Sequence, residues 1–524
     1  MRRTFSHQQE HNSILCYSSA RIFVTYSRGL LQVMNARRLK TLQRDMDNAA
    51  DYAAWRELAL EFDRESGLEE WKQRQTCELY DHHLIRSRLN KLKEMRKQKQ
   101  DVELFYTLNE GIHGNMGGMG RAALYNHAKF GTKKLIIEYI DEVVAALIHI
   151  SSMKSKEITF TQKLDFFDRA SHCFGRSALM LSGGANFGMF HVGVVKALHE
   201  QRLLPTVISG SSAGSVVAAV LGTHSDEELK EYFKLEAIRQ EAMKFMGWKK
   251  LFKGEALLDD NHLEETLSHF LPEITFEEAF AKTGRAINIT ISPARLNHES
   301  RMLNAISSPN VFVRKGVMAS TAVPGLFPPV TLVAKNYLGE AQPYNPSRQW
   351  VDGTLSNDLP AKRLSRLYGV NHFIASQVNP HVLPFVSEKG QARSISQVMI
   401  EISAKTTKNV VSNMLKHASD NLRSPAVGYM LTQIHAMVSQ DYTADIIITP
   451  DFKALNPWKL FNNPEISDVA KLVRAGELST WPKLEWIRNC TKISRTLDEI
   501  IVEMRKEEMH LLKQEAAKNA ANGA

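Results

Sequence analysis

Gly210-Ser211-Ser212-Ala213-Gly214 stands between the β-branched run Leu204–Ser209 and the apolar run Ser215–Leu221. The first run favours a short strand and the second a buried helix. A strand, a sharp turn and a helix form the context in which a G-x-S-x-G segment presents its serine. The outer glycines tolerate the tight backbone and leave space beside Ser212, and the helix start directs N–H groups and a positive dipole end toward the hydroxyl. Ser212 is therefore a candidate nucleophile, although such five-residue segments also occur as plain turns.

A glycine-rich loop precedes this segment. Ser177–Leu181 reads as a strand, and Ser182-Gly183-Gly184-Ala185-Asn186-Phe187-Gly188 leads from it into the helix-like run Met189–Glu200. Such a loop exposes backbone N–H groups that can hold an anion. A dinucleotide fingerprint would need a third-position glycine where Ala185 stands, and a P-loop would need a Gly-Lys-Ser/Thr end that is absent. The loop therefore favours an oxyanion hole for a tetrahedral intermediate at Ser212.

Strands alternate with helices from Ser177 to about Pro384. Further strands are expected at Ile287–Ile291 and His372–Val378, and Asp445–Pro450 reads as a last one. Alternation of this kind predicts an α/β fold, with a mostly parallel central sheet and helices on both faces. Trp350–Thr354 is expected in a turn, since it contains Asp-Gly and follows a Pro-rich stretch.

In this order, the glycine loop, the G-x-S-x-G segment and Asp352-Gly353 resemble the patatin-like phospholipases, and residues 319–329 also look like a family segment. The resemblance implies a Ser212–Asp352 catalytic dyad. It also implies an oxyanion hole and a set of supporting residues. The oxyanion residues would be Gly183, Gly184, Ala185 and Gly188, and the supporting residues would be Gly210, Gly214, Gly353 and His191.

Other segments resemble the triacylglycerol-lipase branch of this family, known from fungal lipid droplets and plant oil bodies. These are Asn357–Pro360, Val370–His381, Trp55, Trp71, Tyr80-Asp81 and Gly131–Tyr139. The branch implies a three-layer patatin-like fold preceded by an α-helical domain, and triacylglycerol as substrate. The motifs differ from the usual family pattern at three places. Ala185 replaces a glycine, and Asn186-Phe187 stand where many relatives have an arginine. Thr354 replaces the Gly or Ala that usually follows Asp-Gly.

The identity of the base can also be argued from chemistry. A serine hydroxyl needs a base within hydrogen-bond reach, and Asp352 can act directly if its surroundings raise its proton affinity. The rival is a Ser–His–Asp triad, for which His372 and His381 follow Asp352 in the chain. His372 is expected to be structural, and His191 is expected to order the glycine loop rather than transfer protons.

Charge is unevenly distributed along the 524 residues, whose formal net charge is +9. Between Arg86 and Lys99, seven basic residues meet one acid, and Ile85, Leu89 and Leu92 recur at helical spacing. A basic amphipathic helix can lie on anionic lipid, but the solvated face of a bundle helix is the favoured interpretation. Nucleic-acid binding is disfavoured, because no aromatic residues are interleaved with the basic ones.

The four cysteines, at positions 16, 77, 173 and 490, lie far apart and suggest a reducing compartment. No cluster has metal-ligand spacing, so we expect no cofactor. Leu135–Ile150 is the most apolar helical stretch, but three acids interrupt it, so no transmembrane helix is expected. The basic first 44 residues could be a transit peptide. An over-extended gene start is favoured, because Met34–Lys40 opens a cleaner helix.

The chain is long enough for more than one domain. We expect a poorly ordered leader or over-extended start (1–44), a helical domain (45–155), a patatin-like catalytic domain (176–385), a C-terminal extension of the core (386–490), and a helix with a tail (491–524). Met243–Lys253 mixes bulky apolar residues with lysines, which suits either a lipid–water interface or a buried helix.

The function expected from these features is lipid-ester hydrolysis on the cytoplasmic side of a membrane or lipid-droplet surface, with peripheral attachment. Phospholipid or lysophospholipid hydrolysis is the near alternative, and a non-catalytic lipid-surface scaffold is the alternative from another class. The sequence leaves the oligomeric state open.

Overall fold

The computed structural model describes residues 35–234, 260–294, 299–324, 327–354, 358–379, 387–388, 443–451 and 466–522. Residues 1–34, Met243–Lys253 and His381 lie outside these ranges, and so do most of residues 386–465. Among the described helices, none combines the length and the apolarity that crossing a membrane requires.

The N-terminal part is a bundle of helices. They are α1 (35–47), α2 (Tyr52–Glu65), α3 (Leu68–Gln73), α4 (His82–Lys97), α5 (Asp101–Asn109), α6 (Ala122–Tyr125), α7 (Lys134–Ser152) and α8 (Phe160–Phe174). Side-chain caps stabilise the N-termini of several of these helices. Asp51 accepts from the Ala54 N–H at the start of α2, and Asp81 accepts from the Leu84 N–H at the start of α4. Thr159 and Gln162 form a capping box at the start of α8.

The basic helix α4 packs its apolar face on α7. Ile85, Leu89 and Leu92 are buried, and Arg96 donates two hydrogen bonds, of 2.7 and 3.1 Å, to the carboxylate of Glu142. The interpretation of this segment as a bundle helix with a solvated charged face is therefore confirmed.

A buried lysine ties α3 to the start of α7. Lys133 is fully buried, and its Nζ donates to the carbonyl oxygens of Trp71 at 2.6 Å and Arg74 at 2.9 Å. The same ammonium lies 4.0 Å from the centre of a Trp71 ring. Burial lowers the pKa of Lys133.

The central sheet has the strand order β11-β8-β1-β2-β3-β4, and β7 also pairs with β3. Its strands are β1 (Arg176–Leu181), β2 (Val207–Gly210), β3 (Ala286–Pro293), β4 (Arg301–Leu303), β7 (Trp350–Asp352), β8 (Val370–Ser376) and β11 (Ile446–Ile448). Between them lie a hairpin of β5 (Val333–Lys335) and β6 (Ala341–Pro343), and a parallel pair of β9 (Ser387–Glu388) and β10 (Thr443–Ala444).

Strands β1, β2, β3, β8 and β11 run parallel, while β4 and β7 are antiparallel to β3. The strands predicted around residues 287–291, 372–378 and 445–450 are thus present. The turn predicted for Trp350–Thr354 was wrong over its first three residues, because Trp350–Asp352 pairs with Pro293–Ile291 as a buried strand.

Helices cover both faces of the sheet. They are α9 (Met189–Glu200), α10 (Ala213–Thr223), α11 (Asp226–Tyr232), α12 (Asp260–Ser268), α13 (Phe276–Thr283), α14 (Val313–Thr321), α15 (Ala361–Tyr368), α16 (Ile466–Thr480) and α17 (Leu484–Asn522). Alternate residues of β1 enter different cores: Leu179 and Leu181 pack with α9, and Ala178 and Met180 pack with α15. The mostly parallel α/β fold behind a helical N-terminal region is therefore confirmed.

The last helix, α17, packs against α7 and α8 of the N-terminal bundle. Its residues Ile493, Leu497, Ile500 and Met504 are buried in a single hydrophobic cluster that extends back to Met46. The C-terminal helix therefore packs on the chain's own core.

Candidate active site

Ser212 occupies a strained turn between β2 and α10. Its backbone angles are φ 49° and ψ −123°, a combination that non-glycine residues adopt only when the surroundings impose it. Close backbone contacts explain why glycine occupies the two flanking positions. A Cβ at Gly210 would lie 2.2 Å from the carbonyl oxygen of Gly214, and a Cβ at Gly214 would lie 2.3 Å from that of Leu181. The serine itself remains partly exposed.

Helix α14 and strand β3 hold this turn in place. The N–H of Ser212 donates to Oγ of Ser320 at 3.0 Å, and the Ser320 hydroxyl donates in turn to the carbonyl oxygen of Thr290 at 2.8 Å. The hydroxyl of Thr290 also hydrogen bonds with that of Ser211. Sequence reasoning assigned no role to Ser320 or Thr290, although Ser320 lies in the segment 319–329 that resembles the family.

Strand β7 brings Asp352 to Ser212. Asp352 is buried, its N–H donates to the carbonyl oxygen of Ala322 at 2.9 Å, and its Oδ1 accepts from the Thr354 N–H at 2.8 Å. The Ser212 side chain lies close enough to this carboxylate to lower its pKa. Burial raises the pKa of Asp352 to about 6, although Thr354 and Ser212 lower it. A carboxylate with this pKa can accept a proton near neutral pH.

The first two residues of the glycine loop are firmly held. The Ser182 N–H donates to the Ser376 carbonyl at 3.1 Å, and the Ser182 carbonyl accepts from His191 Nε2 at 2.9 Å. The Gly183 N–H donates to Oδ1 of Asp358 at 2.7 Å. The amide of Gly183, one of the predicted oxyanion residues, is thus already hydrogen bonded.

The next two amides differ from that of Gly183. Within the part of the chain that the structure describes, the N–H groups of Gly184 and Ala185 have no hydrogen-bond acceptor. Ala185 has a φ of 47° and is exposed, so the alanine adopts a left-handed conformation that a glycine would reach more easily. A Cβ at Gly184 would lie 2.4 Å from Cγ2 of Val378. These two amides can donate to an oxyanion.

His191 holds the glycine loop through hydrogen bonds at both ring nitrogens. A carbonyl oxygen can only accept, so Nε2 carries the hydrogen and Nδ1 accepts from the Ser376 hydroxyl at 2.7 Å. Complete burial lowers the pKa of His191 to about 4, and both ring nitrogens are occupied. The imidazole therefore stays neutral and orders the loop.

His372 lies at the end of the sheet where the parallel strands begin. It stands near the start of β8, paired with Ser177 at the start of β1, and its Nδ1 lies 3.0 Å from the Ser177 hydroxyl. Ser212 instead lies where the parallel strands end. This geometry opposes a triad through His372.

Comparison with known proteins agrees with this arrangement. Residues 179–364 match the family described as patatin-like phospholipase, and residues 32–172 match a domain of unknown function (DUF3336). "Triacylglycerol lipase ptl3" of Schizosaccharomyces pombe is 31% identical over 85% of this chain and 93% of its own length. The chain belongs to the patatin-like phospholipase family.

Two further relatives are longer than this patatin-like chain. "Triacylglycerol lipase 4" of Saccharomyces cerevisiae is 35% identical over 87% of this chain and 52% of its own length. "Triacylglycerol lipase SDP1L" of Arabidopsis thaliana is 33% identical over 93% of this chain and 61% of its own length. The chain thus spans between about half and two thirds of the length of these two relatives.

A cavity of about 90 Å³ lies beside the candidate site of this patatin-like domain. It begins at Gly188 and Ala213, the residues that flank the loop and the nucleophile, and runs between α9 and α10 under α11. Its other lining residues are Met189, Val192, Val195, Val216, Val217, Val220, Leu221, Tyr232, Phe233 and Phe270. Almost all of these side chains are apolar.

Proposed function

We propose that this chain is a serine acyl hydrolase that acts on lipid esters, with triacylglycerol as its substrate. The observation that carries the proposal is the Ser212 side chain lying beside the buried carboxylate of Asp352, whose pKa burial raises to about 6. A nucleophile beside a base near its working pH is what acyl transfer requires.

Acylation begins when Oγ of Ser212 attacks the ester carbonyl and Asp352 takes the hydroxyl proton. The carbonyl oxygen becomes an oxyanion, which accepts hydrogen bonds from the Gly184 and Ala185 amides. The tetrahedral intermediate collapses, the bond to the glycerol oxygen breaks, and Asp352 returns the proton to that leaving oxygen. Ser212 is left as an acyl ester.

Deacylation repeats the sequence with water. Asp352 accepts a proton from water as its oxygen attacks the acyl-serine carbonyl, and the same amides hold the second oxyanion. When the bond to Oγ of Ser212 breaks, Asp352 returns the proton to Ser212, and the fatty acid leaves.

The cavity between α9 and α10 supports a lipid substrate. Its apolar lining begins next to Ser212, and the described residues that line it include no charged side chain, so it suits the hydrocarbon of an acyl chain. The names of the relatives also support triacylglycerol. Peripheral attachment to a membrane or droplet surface on the cytoplasmic side follows as part of the proposal, because such substrates form a separate phase.

The test uses purified protein with a fluorophosphonate probe, emulsified triolein and phosphatidylcholine vesicles. Wild-type protein is expected to be labelled and to release fatty acid from triolein, and Ser212→Ala is expected to lose both properties. Ser268→Ala, at an exposed serine of α12, serves as the matched control. Faster release from phosphatidylcholine would support the phospholipase alternative, and a wild-type protein without labelling would support the scaffold.

A further inference from the structure

A second carboxylate is buried beside the candidate site. Asp358 is 1% exposed, and among the described residues it accepts hydrogen bonds from the Gly183 N–H at 2.7 Å, Nδ2 of Asn379 at 3.0 Å and Nε2 of Gln377 at 3.4 Å. The reaction steps above do not use this group. Burying a carboxylate without hydrogen-bond donors is costly, so these donors stabilise Asp358 at this position.

The position of Asp358 links two parts of the site. Asp358 lies six residues after Asp352 in the chain, and its bond to Gly183 reaches across 175 positions of the sequence. Thr354 contacts the same glycine, because a Cβ at Gly183 would lie 2.1 Å from Oγ1 of Thr354. The chain that follows Asp352 therefore also contacts the glycine loop, through Thr354 and Asp358.

Gly183 is the residue immediately before the two amides without acceptors. Its own carbonyl accepts from the Ser182 hydroxyl at 2.9 Å, while the Asp358 carboxylate accepts from its N–H. Both polar groups of the Gly183 backbone are thus fixed, and this sets the direction in which the chain enters Gly184. Loss of the Asp358 contact would remove one of the hydrogen bonds that hold the Ser182–Gly183 peptide, beside the bond from His191 to the Ser182 carbonyl.

We propose that Asp358 is a positioning residue that holds the Gly183 amide and thereby aims the amides of Gly184 and Ala185 at the oxyanion formed on Ser212. The inference rests on the proposed function. Asp358 touches neither the substrate nor the reacting atoms, and it acts through the loop. Oδ1 of Asp358 accepts the Gly183 N–H, so the loop requires an acceptor atom at this point.

The pKa of Asp358 bears on whether its charge is needed to hold the Gly183 amide. Burial raises the pKa of Asp358 to about 7, the Gly183 amide and the Gln377 and Asn379 side chains lower it, and the charge of Asp352 raises it. A neutral acceptor at this position can still receive the Gly183 N–H. The length and place of the side chain should therefore matter more than its charge.

The experiment compares Asp358→Ala, Asp358→Asn and Asp358→Glu on a soluble short ester, p-nitrophenyl butyrate. Asp358→Ala is expected to lower kcat by about 10²–10³-fold, the typical loss for one oxyanion donor, with little change in KM. Asp358→Asn keeps an acceptor oxygen at the same distance, and it should recover most of this loss. Asp358→Glu moves the acceptor by one methylene and should resemble the alanine variant.

A transition-state analogue separates positioning from a merely structural role. The affinity for a trifluoromethyl ketone should fall in Asp358→Ala by the same factor as kcat/KM. Asp63→Ala is the matched control, since Asp63 is a fully buried carboxylate of the N-terminal bundle that accepts the Lys129 and Phe130 N–H groups at 2.8 and 3.0 Å. It should lower the melting temperature and leave the kcat of folded protein unchanged.

Wild-type kcat in folded Asp358→Ala would overturn the inference, and so would equal losses in the asparagine and alanine variants. If the alanine variant does not fold, the contrast between asparagine and glutamate decides in the same way. A wild-type protein that does not hydrolyse the ester would instead overturn the proposed function, so the two failures can be told apart.

Discussion

Oγ of Ser320 accepts the backbone N–H of Ser212 at 3.0 Å across 108 positions of the sequence. Two residues later in the same segment, the carbonyl oxygen of Ala322 accepts the N–H of Asp352 at 2.9 Å. The C-terminal end of α14 therefore holds both the candidate nucleophile and the candidate base. The distance between them depends on one short stretch of chain.

Ser320→Ala should lower kcat on a soluble ester by about 10–10²-fold with little change in KM, because the strained Ser212 turn loses its backbone acceptor and small displacements of reacting groups are costly. Initial rates over a range of substrate concentrations measure this. Thr321→Ser is the control, since the Thr321 hydroxyl donates to the Val317 carbonyl within α14. Ser320→Ala with wild-type kinetics would show that this contact does not position Ser212.

Asp352→Asn should lower kcat by about 10²–10⁴-fold, because the amide cannot accept the serine proton. His372→Gln should have a far smaller effect, since His372 lies where the parallel strands begin, at the opposite end from Ser212. Single-turnover release of p-nitrophenol from both folded variants measures the difference. Equal losses would favour a triad over the dyad.

The pH dependence of kcat/KM should show an acidic limb with a midpoint near pH 6. Burial raises the pKa of Asp352 to about 6, and only the ionised carboxylate can act as base. Activity should therefore rise with pH through this value. A midpoint near pH 4 would indicate that Asp352 titrates as a solvated carboxylate.

Folding stability should vary with pH in the opposite direction. Folding raises the pKa of Asp352 from 3.8 to about 6, so the folded protein binds this proton more tightly than the unfolded chain. The stabilisation by the bound proton is present at low pH and is lost as pH rises through 6, about 3 kcal/mol in all.

Asparagine at position 352 cannot ionise. The melting temperature of Asp352→Asn relative to wild type should therefore increase between pH 4 and pH 7, as measured by circular dichroism at each pH. A difference that does not change with pH would contradict the buried, destabilised carboxylate.

Gly184→Val should lower kcat by at least 10²–10³-fold, since a Cβ at this position would lie 2.4 Å from Cγ2 of Val378 and displace the amide. Binding to triolein emulsion, measured by flotation, should be preserved. Gly339→Val is the matched control, because Gly339 also has a positive φ, of 82°, but its Cβ would meet open space. Equal loss of binding and turnover would indicate a folding role for Gly184.

The G-x-S-x-G segment and the glycine loop were predictable because each is a local pattern. A strand, a few small residues and a helix follow one another in the chain, and the glycines stand where backbones approach closely, as at Gly210 and Gly214. The parallel sheet was predictable for the same reason, since strands and helices alternate visibly.

Contacts between distant segments were not predictable from such patterns. Trp350–Asp352 is too short to show a period of two, and its pairing with β3 makes it a strand. Ser320 and Asp358 look like ordinary polar residues in the sequence, and their hydrogen-bond partners Ser212 and Gly183 lie 108 and 175 positions away. Single-sequence periodicity carries no information about such pairs.

The basic segment around α4 shows how a shared pattern permits two structures. Apolar residues at helical spacing under a charged face fit a lipid surface and a helical bundle equally well. What decides is the apolar surface of α7, on which Ile85, Leu89 and Leu92 are buried.

The packing of α17 on α7 and α8 has a consequence for how the protein is made. One hydrophobic cluster contains Met46 and Met504, so the ribosome must synthesise the chain through Met504 before this cluster can close. The N-terminal helices emerge early with the faces that α17 will cover still exposed to water. Contacts of such long range form slowly, and chaperones that bind apolar helix surfaces during synthesis should therefore associate with the nascent N-terminal bundle until α17 arrives.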